Sequence, residues 1–215
     1  MPPFTQEKMN QKPVHSDAMS TDGYLIDQDY TQAYSYRGMS SAYNGCGWIA
    51  SYNMLHALGS DMSYEQVHQE MDSLFPIKIP GPTPGYKLEK FLHRYVYFHV
   101  SSGREKILKA ASRCRAGILF YWEGKEPHYT TFIRIGQSDE FRFFNVTDGL
   151  EDCRYTMKGF LSTRPSLPFM RAYTTVRGLK LEAQNENHPK NGMLPWDAAL
   201  SASRIKPQAE AGSAS

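Results

Sequence analysis

The chain has 215 residues, 40% of them hydrophobic, 13% aromatic and 21% charged, with a formal net charge of +2. That length carries one domain with a real hydrophobic core, and a balance so near neutral, without a basic run, excludes a nucleic-acid partner. Three scattered cysteines, none in a Cys-x-x-Cys pair, exclude a disulfide framework and a structural zinc site.

No apolar run approaches the ~20 residues that span a bilayer, and residues 1–19 lack the apolar core of a secretory signal. A cytoplasmic protein without a membrane segment is expected. Residues 1–23 are polar and aperiodic and read as a disordered or loosely ordered segment. The folded domain is placed at 24–180, and 181–215 reads as a flexible polar tail.

Within the domain, Ile49, Ala50, Tyr52, Met54, Leu55 and Leu58 form a helical stripe closed by Gly59. Ser63 and Gln66 have capping-box spacing, predicting a helix to about Leu74. Pro76 to Gly85 is dense in Pro and Gly and must run extended; Thr83-Pro84 reads as an N-cap and first helical residue of a helix through His93. Ser102 is predicted to cap a helix from Gly103 to Arg115.

After Gly117 the periodicity changes. Gly117 to Trp122 is a short apolar strand, His128 to Ile135 alternates, and Phe141 to Val146 returns beyond a turn at 137–140. Met157 to Leu161 reads as a short helix and Arg171 to Val176 as a last strand. The order predicts an α+β fold, with a helical N-terminal half and a C-terminal antiparallel sheet.

Cys46 stands where a thiol gains nucleophilic character, at the start of a helix, inside Asn44-Gly45-Cys46-Gly47. The flanking glycines remove side chains around the sulfur, so a carbonyl can approach and the Cys46 N–H can stabilise an oxyanion. His128 opens a strand, and Asn145 ends the next one, about opposite it. An amide there can accept from one imidazole nitrogen and leave the other facing the sulfur. Asp148 is the competing orienter, although Asp148-Gly149 is ordinary turn chemistry. A metal held by His128, Asp148 and a cysteine would need ligands converging without motif spacing, so no metal and no other cofactor is expected.

The segments NGCGWIASYNMLHALG, GILFYW and HYTTFIRIGQSDEFRFFNV resemble the papain-like domain of bacterial double-glycine (bacteriocin-leader) peptidases and their standalone relatives, over about Tyr34 to Phe160. The resemblance implies a papain-like fold, Cys46 as nucleophile, His128 as general base and Asn145 as orienter. It implies a peptide or protein substrate. The family places a glutamine, completing the oxyanion hole, where this chain has Ser40; Gln32 and Asn44 are the alternative donors. Trp48 stands where the family has a small residue or Pro, and would narrow the cleft or pack beneath the helix. Two other readings use the same residues: an acyltransferase or amidase, and a non-catalytic module binding peptide or protein.

Overall fold

The structure, a computed structural model, describes residues 14–124, 126–146, 153–164 and 170–180. In chain order the elements are β1 (Ser35–Tyr36), β2 (Met39–Ser40), α1 (Ser41–Asn44), α2 (Cys46–Ala57), α3 (Tyr64–Ser73) and α4 (Gly85–Tyr95). Then follow β3 (Val96–Ser102), α5 (Arg104–Ala111), β4 (Ala116–Glu123), β5 (Glu126–Arg134), β6 (Glu140–Phe144), β7 (Cys153–Thr156), α6 (Met157–Ser162) and β8 (Arg171–Leu179). The fold is α+β. Among the described residues no helix is long and apolar enough to cross a membrane.

Strands β3 to β8 form one antiparallel sheet in the order β3-β8-β4-β5-β6-β7. Alternation along the strands divides the apolar side chains between two cores. Ile118, Tyr129 and Tyr173 face α2, α3 and α4, while Leu119, Tyr121, Phe132, Phe143 and Ala172 face α5 and α6.

Helix α2 is apolar on every side, as a helix enclosed by the rest of the molecule must be; of its residues only His56 is not buried. It is tied to the sheet by Thr131 Oγ1, which donates to the Ala50 carbonyl at 2.9 Å. Asn53 exchanges hydrogen bonds of 2.8 Å with both backbone groups of Leu25. That contact fixes the segment before β1. Residues 14–23, part of the segment expected to be loose, hold a 3-10 turn at Ser16–Ala18 with Ala18 buried, and Met19 bridges Leu25.

Several boundaries differ from the sequence reading. The Ser63–Gln66 capping box forms as expected, but α4 begins later than expected. Pro84 is its N-cap, and Thr83 is buried in the preceding loop instead of capping. Helix α5 starts after Gly103, whose φ of +84° only glycine adopts without strain, so Ser102 ends β3 instead. Helix α1 and strand β7 carry too few residues for any period to show.

Candidate functional site

Cys46 opens α2 directly after α1. Gly45 is the N-cap and has no side chain, so α2 starts without a side-chain cap over the N–H groups of its first turn. The two flanking glycines have a different reason from the one expected. A Cβ on Gly45 would lie 2.4 Å from the Ser41 carbonyl oxygen, and one on Gly47 would lie 2.2 Å from Thr83 Oγ1. Protein atoms, not a substrate, fill the space beside them. Cys46 itself is 5% exposed.

His128 lies on β5 with Tyr121 as its cross-strand partner on β4. The Tyr121 ring stands edge-on to the imidazole, with centroids 5.7 Å apart. His128 Nε2–H donates to the main-chain carbonyl of Asn145 at 2.6 Å. A carbonyl only accepts, so this bond fixes the tautomer and leaves Nδ1 as the unprotonated nitrogen of the neutral ring. Burial opposes charge on the ring, but hydrogen bonding and charge from Cys46, the Asn145 carbonyl and Glu123 outweigh it. The His128 pKa is therefore held above the ordinary histidine value.

The sequence reading gave the orienting bond to the Asn145 amide. Instead, the main chain makes it. Phe144 is the β6 partner of Thr131, so Asn145 lies past the last registered pair rather than opposite His128. Its φ of +59° is left-handed, a conformation Asn tolerates better than most residues. The amide is engaged elsewhere: Oδ1 accepts from the Gln28 backbone N–H at 3.1 Å, and Nδ2 donates to Gln28 Oε1 at 3.2 Å. Gln28 Nε2 in turn donates to the Ala42 carbonyl in α1 at 2.9 Å. One glutamine thus links the residue behind His128 to the helix preceding Cys46.

The expected oxyanion donors are placed unfavourably. Ser40 is exposed and its Oγ accepts from the Ala42 N–H as the cap of α1. Asn44 is buried and its Nδ2 donates to the Tyr36 carbonyl at 2.9 Å. Gln32 is exposed at the end of the 3-10 turn Gln28–Thr31. Asp148 lies outside the described residues. Trp48 is fully buried and donates to Ser41 Oγ at 3.1 Å, so it packs beneath the helix rather than narrowing a cleft.

Residues that the sequence reading passed over build the other side of the site. Arg37, in the β1–β2 turn, donates from Nη1 to the carbonyls of Gly81 and Pro82 and pins the Pro-rich loop. Thr83 Oγ1 meets the Tyr36 hydroxyl at 3.0 Å, and the Thr83 carbonyl accepts from the Tyr129 hydroxyl at 3.0 Å. Burial raises the pKa of Tyr36, Tyr121 and Tyr129, so all three are neutral phenols at neutral pH. Only Thr83, as Thr-Pro, gave a local signal. Among the described residues no group of His, Cys, Asp or Glu is placed to hold a metal ion. Neither a protein-family model nor a curated protein matches this chain.

Proposed function

We propose that this chain is a papain-like cysteine peptidase, similar to the double-glycine peptidase family, with Cys46 as nucleophile and His128 as general acid and base. The observation that carries the reading is the pairing of Cys46, at an uncapped helix start, with a His128 imidazole whose Nε2–H is held by the Asn145 carbonyl. A helix N-terminus and an imidazolium both favour a thiolate.

In the proposed reaction the Cys46 sulfur attacks a peptide carbonyl, and the oxyanion forms against the uncapped N–H groups at the start of α2. His128 gives its Nδ1 proton to the leaving amine as the carbon–nitrogen bond breaks. The acyl-enzyme is then hydrolysed by a water that returns its proton to His128. Asn145 orients the ring through its main chain.

The test is site-resolved labelling by iodoacetamide, read by mass spectrometry, together with release of amine from a peptide library. Cys46 is expected to label faster than Cys114 at neutral pH, and His128→Ala to remove the advantage along with peptide cleavage. Equal labelling of the two thiols in the wild type sinks the proposal.

A second reading, a non-catalytic papain-like module that binds peptide, is favoured by one observation. The side chains expected to complete the oxyanion hole are exposed or committed to other partners. Labelling of Cys46 without turnover of any peptide selects it.

A further inference from the structure

We propose that the groove beside Cys46 is a subsite for acidic peptide, taking a bulky apolar side chain on its aromatic walls and an Asp or Glu side chain on Arg171. The proposal rests on the reading of Cys46 and His128 as the reactive pair, since it names the substrate class of that site.

The groove has a volume of about 460 Å³ and is bordered by Thr83, Phe120, Trp122, Tyr129, Arg171 and Tyr173 among others. It adjoins the candidate site through two of its lining residues. Thr83 packs on Gly47, the residue after Cys46. Tyr129 follows His128 on β5 and donates to the Thr83 carbonyl. A substrate chain reaching the sulfur therefore has this wall beside it. Phe120 and Tyr129 stack at a tilt with centroids 4.9 Å apart, and with Trp122 they offer flat, rigid, apolar faces.

One charged side chain borders this space. Arg171 opens β8 opposite Phe120 and is exposed. Its Nη1 lies 3.7 Å, and the Tyr173 hydroxyl 2.9 Å, from the point that a Cβ on Gly85 would occupy. The bare Gly85 backbone thus packs against the Tyr173 hydroxyl, with the Arg171 guanidinium next to it at the rim of the groove. Arg171 takes part in none of the ion pairs among the described residues. Glu89, one turn along α4 from Gly85, is the carboxylate whose charge reaches Tyr173, and the Arg171 guanidinium is hydrogen-bonded to the Tyr173 hydroxyl. A guanidinium fork without a fixed anion, beside low-dielectric walls, selects carboxylate over amide or ammonium.

The experiment uses the Cys46→Ala chain, so that binding is read without chemistry, on an array of N-acetylated, C-terminally amidated decapeptides. These carry a central Phe and either Glu, Gln or Lys at the flanking positions. Glu peptides are expected to bind about tenfold more tightly than Gln peptides. Arg171→Gln is expected to erase the difference, and Arg171→Glu to transfer the preference to Lys. Equal binding of Glu and Gln peptides, or a preference that survives Arg171→Gln, overturns the proposal. Binding gained only by peptides with a free C-terminal carboxylate overturns the side-chain assignment. Failure of the wild-type chain to label at Cys46 or cleave, with the Glu preference intact, overturns the catalytic reading alone.

Discussion

Asn145 divides its work: the carbonyl serves His128 and the amide serves Gln28. What the proposed catalysis asks of this residue is therefore a left-handed main chain, not an amide beside the imidazole. Asn145→Gly keeps the carbonyl and adopts that φ freely, whereas Asn145→Ala places a Cβ in a conformation costing roughly 1–2 kcal/mol. Turnover should fall more in Asn145→Ala than in Asn145→Gly, measured as kcat on one peptide. Gln28 is a positioning residue in the same chain of bonds. Gln28→Ala should lower kcat by about tenfold with little change in KM. It should also move the alkaline limb of the pH profile toward the ordinary histidine value, because the Asn145 carbonyl helps raise the His128 pKa. A Gln28→Ala profile with an unmoved limb would show a structural role only. Cys46 and His128 could be singled out because a helix start and an alternating strand leave local patterns, although β5 begins two residues before His128, at Glu126. Gln28 could not, since its partner lies 117 positions away and polar side chains follow no period. Cys114 is the internal control for labelling: burial pushes its thiol up to about 12, so it should remain inert at neutral pH.

At the scale of elements, the junction of α2 with the Pro-rich loop depends on the missing side chain at Gly47. Intrinsic helix propensity favours Ala there by about 1 kcal/mol. A Cβ only 2.2 Å from Thr83 Oγ1 and 2.5 Å from Thr83 Cβ opposes it, because Thr83 is buried and bonded on both sides. Overpacking of about 1–3 kcal/mol should win, so Gly47→Ala should lower the thermal midpoint. A midpoint equal to or above wild type would show that the loop yields. By contrast Ser63→Ala, which removes the cap of α3 far from this junction, should cost about 1 kcal/mol and leave peptide cleavage unchanged. The capping box was readable because both partners sit within one turn. Thr83 was misread for the same reason: Thr-Pro carries a strong local signal, and the signal lost to a distant glycine that could accept it as a neighbour.

Across the whole molecule, the site forms where the helical half meets the sheet, with Cys46 from one and His128 from the other. Periodicity predicted α2 to α6 and the strands β4, β5, β6 and β8 but not β3, whereas the pairing order β3-β8-β4-β5-β6-β7 involves a return of β8 between β3 and β4 that no local pattern announces. Placing the His128 imidazole at that junction ties global stability to pH. The folded pKa of His128 lies above the ordinary histidine value. Its contribution is then fully present below about pH 6.5 and is lost as pH rises through the folded value. Urea midpoints should accordingly fall more between pH 6 and pH 9 in the wild type than in Cys46→Ala, which lacks the neighbour that does most to favour the charged ring; parallel curves would sink this account. The placement of the tryptophans has an optical consequence. Trp48 is sealed beneath α2, whereas Trp122 borders the groove and keeps partial exposure. In a Trp196→Phe chain, collisional quenchers should therefore extinguish a single indole, and a peptide lying in the groove should shield it, so the protein carries its own fluorescent gauge of occupancy.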